Sequence, residues 1–250
     1  MESRPFDANQ DFGRLQAFLA EMRQQVSQAA YYQFGDLLWR IHYASNAFDP
    51  ATDLRIWQYE DASIAGFAHY QASDDNPEFL LRPELYDSRL ADEMVAWVVA
   101  RARAGGASAI EASCIEGDAR KEAFLAHAGF CPLDDDPMVF MACRLADALP
   151  DPHLADGYEF ATAAERPDLA TVTGTPYSPA AYATMVQSHG YRDELGLRVV
   201  YKDEVVAGCI AWYDAVDRCG EFEPVGTVAS HRGRGLAYAV MAQVMAHLKR

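Results

Sequence analysis

The 250-residue sequence has no apolar run near the ~20 residues needed to cross a bilayer. Its opening Met-Glu-Ser-Arg-Pro-Phe-Asp has neither the basic start nor the apolar stretch of a signal peptide, so the expected location is the cytosol. Positive charge is scarce: 21 Lys and Arg face 37 Asp and Glu, a formal net charge of −16. Such a field repels DNA, RNA and anionic lipid, and neither nucleic acid nor membrane is an expected partner. The five cysteines, at 114, 131, 143, 209 and 219, form no C-x-x-C and no zinc-knuckle spacing, which predicts reduced, mostly packed thiols. The seven histidines are scattered without an H-x-x-x-H, so no metal site is expected. The acidic run Asp134 to Asp136, closed by Pro137, lacks the ligand alternation of a calcium loop and reads as a solvated turn. No G-x-S-x-G elbow marks a serine hydrolase.

Half of the residues are apolar and 23% are charged, enough to bury a core in one large domain or two small ones. The acidity is uneven. Residues 1–150 hold 24 acids and 12 bases, whereas the remainder holds 13 and 9. From Pro224 onward no acid occurs at all, only Arg232, Arg234, Lys249 and Arg250, a local inversion that suggests a bound anion.

The stretch Ala146 to Gly157 has two prolines, three acids and no periodicity, and reads as a linker. The parts on either side share an order of elements. After the linker, strands are expected at Tyr158 to Ala161, Leu197 to Tyr201, Val205 to Tyr213 and Gly220 to Val228. The loop Arg232 to Ala237 then leads into a helix with Ala237, Val240, Met241, Val244, Met245 and Leu248 on one face. Before the linker, strands are expected at Leu54 to Tyr59, Ile64 to Tyr70 and Glu78 to Leu81, then a helix carrying Leu90, Met94, Trp97 and Val98 and ended by Gly105 and Gly106. A strand at Ala109 to Cys114, a short helix at Ala119 to Ala128 and a closing strand at Met138 to Leu145 follow. The expected fold class is α/β (α+β), two domains at 1–148 and 157–250, each a mixed, mostly antiparallel sheet flanked by helices.

Chemistry concentrates in Arg232-Gly233-Arg234-Gly235-Leu236-Ala237. Two glycines at a helix N-terminus let backbone amides approach a ligand, and the helix start offers free N–H groups and a positive dipole end. Two arginines add charge. The six residues alone are compatible with a solvated basic turn, but the preceding strand, the following helix and the acid-free stretch favour a phosphate cradle. Upstream, Pro224 removes a ladder N–H and Gly226 weakens the strand, which together predict a bulge that frees backbone groups.

Arg232, Gly235 and Ala237 match the pyrophosphate loop of the GNAT superfamily of N-acetyltransferases, Arg/Gln-x-x-Gly-x-Gly/Ala. The longer stretch Trp212 to Ala237 is similar to the strand-four and loop segment of tandem-domain GNAT proteins, broadly of the mycothiol synthase type, with Ala229 where a proline is common. The resemblance implies acetyl-CoA as co-substrate, with its pantetheine along Val225, Gly226, Thr227 and Val228 and its pyrophosphate on Arg232, Gly233, Arg234, Gly235, Leu236 and Ala237. In the first copy Glu84 to Leu90 stands where the glycine loop belongs, and Leu125 stands where the family's thiolate-protonating tyrosine does. That copy is expected to be degenerate and cofactor-free.

Attack of an amine on a thioester needs the amine neutral, so a carboxylate near the thioester is the expected base. Glu221 and Glu223 are two apart and share a face if the ladder is regular; Glu223, nearer the bulge, is the first candidate and Glu221 the second. The expected reaction is acetyl transfer from acetyl-CoA to a primary amine of a small or cationic acceptor. The second copy reaches Arg250 without a counterpart of Gly106 to Leu145, so its expected sheet is incomplete at the C-terminus. This raises completion by another chain, as in a homodimer, and a rival reading as a non-catalytic acyl-CoA-binding or dimerisation module.

Overall fold

The computed structural model describes residues 1–25, 31–42, 48–71, 77–133, 139–167, 183–188 and 190–250. The expected turn at Asp134 to Pro137 lies outside the described residues, as do Met138 and His189. The chain runs β1 (Glu2–Pro5), α1 (Ala8–Gln25), α2 (Phe34–His42), α3 (Pro50–Asp53), β2 (Leu54–Gln58), β3 (Ile64–His69) and β4 (Glu78–Leu81). It continues through α4 (Arg89–Ala104), α5 (Ala119–His127), β5 (Tyr158–Thr162), β6 (Leu197–Tyr201), β7 (Glu204–Asp214), β8 (Cys219–Thr227) and α6 (Leu236–Leu248). Two compact units result: Met1–Gln33 with Asn46–Phe140, and Phe34–Ser45 with Met141–Arg250. Each holds a four-stranded antiparallel sheet, in the orders β1-β2-β3-β4 and β5-β6-β7-β8. Among the described residues no helix is long and apolar enough to cross a membrane.

In the first unit every residue of β3 is buried, as expected of a strand covered on both faces. Leu15, Phe18, Leu19 and Met22 of α1 are buried at helical spacing. Asp11, wholly buried, accepts hydrogen bonds from Arg4 and Arg14 and so ties β1 to the start of α1. Burial opposes its charge, but the two guanidiniums hold its carboxyl below the usual carboxylate range. Leu90, Met94, Val98 and Ala102 form the buried row of α4, which stops at Gly105 and at Gly106 with φ +83°. Where a glycine loop was sought, a short 3₁₀ turn at Pro83–Leu85 leads to Ser88 at the N-cap of α4.

Two expected strands of this part do not form. Ala109 to Cys114 lays Ile110 and Ala112 against the core in alternation, but among the described residues no strand pairs with it. The described part of Met138 to Leu145 is likewise without strand structure, and Val139, Phe140 and Met141 are exposed. Period-two alternation fixes a face, but a strand also needs a neighbour's N–H and C=O groups, and among the described residues neither segment has one.

In the second unit β6 and β7 meet at Lys202 and Asp203, whose φ values of +49° and +66° are those of a tight hairpin turn. α6 covers the face of the sheet that carries Ala211 and Phe222. Its buried row is Leu236, Ala239, Val240, Ala242 and Val244; Met241 and Met245 are half-buried, and Ala237 turns toward β8. Each large apolar residue in that row contributes about 2 kcal/mol by leaving water. The opposite face, bearing Trp212 and Glu221, is covered by α2, whose Phe34, Leu37 and Leu38 are buried. The α2 helix, from the N-terminal part of the chain, thus belongs to the second unit's core, an association invisible in a linear division of the chain.

The thiols are free, but only Cys209 is buried; Cys114, Cys131 and Cys143 are exposed, against the expectation of packing. Cys114 and Cys143 sit in the two segments whose expected strands do not form, so among the described residues they have no sheet partners to cover them. Cys209 and Cys219 lie on adjacent strands opposite Val225 and Asp214, not opposite each other.

Candidate functional site

The site is built on β8. Trp212 pairs with Glu221 and Ala211 with Phe222, but the next pair is Cys209 with Val225, so β8 spends one residue more than β7 across Glu223 and Pro224. This is the bulge that a strand proline predicts. The Trp212 indole N–H donates to the Glu223 carbonyl at 2.8 Å, which satisfies a group the ladder has released. Beyond the bulge the ladder resumes, ending with the Val228 N–H donating to the Val206 carbonyl at 2.9 Å.

A 3₁₀ turn at Ala229–His231 carries the chain off the sheet. Arg232 Nε donates back to the Thr227 carbonyl at 3.0 Å, and Tyr158 Oη lies 3.0 Å from His231 Nδ1, so both ends of the turn are braced. Gly233 and Gly235 both have φ +75°, and Gly235 is the N-cap of α6. An added Cβ at either glycine meets no atom within 4 Å, so their backbone opens onto free space. The first-turn N–H groups of α6 have no acceptor within the helix.

A groove of about 590 Å³ opens between these parts. Val225, Gly226 and Thr227 line its strand side; Arg232, Gly233, Gly235, Leu236 and Ala237 line its loop and helix side. Val228, Arg234 and the two candidate bases, Glu221 and Glu223, do not line it. Pro224, the expected bulge residue, does line it, as do His231 and Tyr238, which lie outside the expected binding set. Tyr238 follows Gly235 by three residues, the spacing that puts it on the groove side of the first helical turn.

On the other face of β8, Glu221 and Glu223 come together as alternation requires. They are joined by Asp36 of α2: one carboxylate oxygen from each of the three lies within 4.8 Å of the others. The Asp36 backbone N–H donates to Glu221 Oε2 at 3.1 Å. α2 can approach this closely because its first turn holds Gly35. A Cβ there would fall almost onto Glu221 Oε2 and within 2.9 Å of Trp212 Cβ. Burial, then the charge of Asp36 and its hydrogen bond, push the Glu221 carboxyl well above its ordinary value. The same causes in the same order push Glu223 up to about 7, with Arg40 pulling in the opposite direction. Glu223 is therefore neither a freely solvated carboxylate nor a simple arginine partner, the two bland alternatives for a strand glutamate.

Among the described residues, two groups of side chains are close enough to share a metal ion: Asp36, Glu221 and Glu223, and Asp214, Asp217 and Cys219. In the second group Asp214 Oδ1 accepts from the Val216 and Asp217 backbone N–H groups and closes the β7–β8 turn.

Residues 162–250 match the family model described as acetyltransferase (GNAT) family. No curated protein matches the sequence. Among solved structures, a GCN5-related N-acetyltransferase from Sphaerobacter thermophilus is similar at 17% identity and a TM-score of 0.60, covering 99% of this chain and 82% of that one. A tandem GNAT protein from the clavulanic acid biosynthesis pathway is similar at 16% identity and a TM-score of 0.61, covering 99% and 85%. A glucosamine N-acetyltransferase region of a fungal multi-domain GH3 β-N-acetylglucosaminidase is similar at 15% identity and 0.53, covering 99% of this chain and 34% of that one. These likenesses give the fold: that of GNAT N-acetyltransferases of the tandem type, with the family match carried by residues 162–250.

Proposed function

We propose that the protein transfers an acetyl group from acetyl-CoA to a primary amine at the β8 groove of its second unit. The observation that carries this reading is the presence, on one strand, of an anion-suited cradle and, at the residue before its groove-lining Pro224, a carboxyl lifted to about 7. Acetyl-CoA fits the residues present. The open space over Gly233 and Gly235 admits a phosphate to the backbone amides, Arg232 and Arg234 supply positive charge, and no acid follows Pro224. When bound, acetyl-CoA supplies the activated acetyl thioester.

The chain's own groups supply the rest. Val225, Gly226 and Thr227 present strand backbone along the groove, and the bulge at Glu223 and Pro224 frees backbone from the ladder next to it. Glu223 takes the proton that an ammonium acceptor must lose before its nitrogen is a nucleophile. A base near 7 is matched to that task at neutral pH. The net charge of −16 favours encounter with a cationic acceptor. The first unit has a glycine-free turn ahead of α4 and contributes no second cradle in this reading.

One observation favours a second reading, a module that binds acyl-CoA without turnover: among the described residues β8 is the end strand of its sheet, and only its β7 side is paired. Turnover separates the two. Thiol release from acetyl-CoA is followed across a panel of primary amines, with Glu223→Gln as control. The acetyl-transfer reading expects an amine-dependent rate, lowered about 100-fold or more by the substitution, with acetyl-CoA affinity kept within a few-fold. Binding without an amine-dependent rate supports the module, and equal rates in the two proteins remove Glu223 as the base.

A further inference from the structure

We propose that Asp36, brought from the N-terminal part of the chain on α2, is a positioning residue for Glu223: it holds the Glu223 carboxyl in a shared-proton cluster and so sets the pH above which that carboxyl can take a proton from the acceptor. The proposal rests on the acetyl-transfer reading for the role of Glu223, but its structural half does not.

The geometry is specific to α2. The helix reaches the sheet through Gly35, where any side chain would strike Glu221 and Trp212. Its Asp36 N–H is committed to Glu221 Oε2 at 3.1 Å, which fixes the start of the helix over β8. The Asp36 carboxylate then lies among those of Glu221 and Glu223, all within 4.8 Å. Glu223 directly precedes Pro224, which lines the groove, so the bulge joins the part of β8 that carries the cluster to the part that lines the groove. Among the described residues, the charged groups that act on Glu223 include Asp36 and Arg40 from α2 and Glu221 from its own strand. Mutual repulsion among three carboxylates this close favours protonation within the cluster, which raises Glu221 and Glu223 above their ordinary values. Glu221 is held well above its ordinary value chiefly by burial, then by the charge of Asp36. Removal of the proton held by Glu223 therefore precedes any transfer. The amine proton then moves to a Glu223 oxygen, the electron pair stays on the amine nitrogen, and the proton passes on to solvent.

The test is Asp36→Asn, which keeps the backbone N–H to Glu221 and nearly the same shape while removing the charge. Two readouts are taken. In the pH profile of kcat/KM, the acid-side midpoint should fall by about one unit, a tenfold gain in ionised Glu223 on the acid side. In ¹³C-carboxyl NMR of the protein alone, with the Glu223 resonance assigned by its loss in Glu223→Gln, the same downward shift should appear without any substrate. A fall in kcat with both midpoints unmoved makes Asp36 merely structural and overturns the proposal. If Asp36→Asn does not fold, the wild-type NMR titration decides. A Glu223 curve with inflections mirrored by the Asp36 resonance supports coupling, and independent single curves overturn it. Absence of turnover in both proteins removes the acetyl-transfer reading while the NMR shift still judges Asp36. An inactive Glu223→Gln beside an unmoved acid limb removes only the Asp36 proposal.

Discussion

Replacing Glu223 by Gln should make the second unit less sensitive to alkaline pH. In the folded protein the Glu223 carboxyl is raised from 4.5 to about 7, chiefly by burial and then by Asp36. A group whose folded value is raised stabilises fully below its unfolded value, and that contribution is lost as pH rises through the folded one. The whole shift is worth about 3 kcal/mol, and the part falling between pH 5.5 and 8.5 is about 2 kcal/mol. Carboxylates held low, such as Asp11, have already delivered their contribution above their ordinary range and stay flat in this window. His42, lowered by burial, opposes the trend below its ordinary value but is common to both proteins and cancels in their difference. The assay is urea unfolding of wild type and Glu223→Gln at half-unit steps from pH 5.5 to 8.5, compared as the difference in midpoint times slope. Wild type should lose about 2 kcal/mol relative to the variant as pH rises. Parallel pH dependences would mean that Glu223 is not raised in the folded state, and the general-base argument would go with it.

Two further substitutions probe the frame of the site. Gly35→Ala gains about 1 kcal/mol of helix propensity but loses about 1–3 kcal/mol through the contacts its Cβ forces on Trp212 and Glu221. A lowered urea midpoint is expected, and a raised one would show that α2 does not sit this close to β8. Gly235→Ala meets no protein atom but must hold φ +75°, a cost of about 1–2 kcal/mol. Its melting temperature should drop by a few degrees, and its affinity for acetyl-CoA should fall at least about tenfold because the methyl group projects into the cradle. A variant that binds as wild type does would take Gly235 out of the cradle.

Much of the second unit was legible because its signals are local. The bounds of β6, the hairpin at Lys202 and Asp203, the bulge at Pro224 and the left-handed Gly233 and Gly235 follow from alternation, turn chemistry and the missing proline N–H. The helix after the loop was legible in place but rotated in facing: Ala237 fits the apolar row by spacing, yet it lines the groove. What spacing could not supply was tertiary. Phe34, Leu37 and Leu38 repeat as a helix face, but nothing in that repeat says that the helix covers β7 and β8 rather than the sheet nearer in sequence. Asp36 was missed for the same reason, since its partners lie 185 residues away. Gly35 in the first turn of an otherwise bulky helix was the available clue. The segments at Ala109 and Val139 were read from pattern alone, and pattern cannot guarantee a pairing edge.

The most direct test of the central claim is calorimetric titration of acetyl-CoA into the protein, with free CoA and ATP as controls and Gly235→Ala alongside. The account predicts micromolar binding that prefers acetyl-CoA to ATP and weakens at least about tenfold in the variant. Absence of binding by wild type, or equal affinity for ATP and for the variant, would contradict the assignment of the β8 groove to acetyl-CoA.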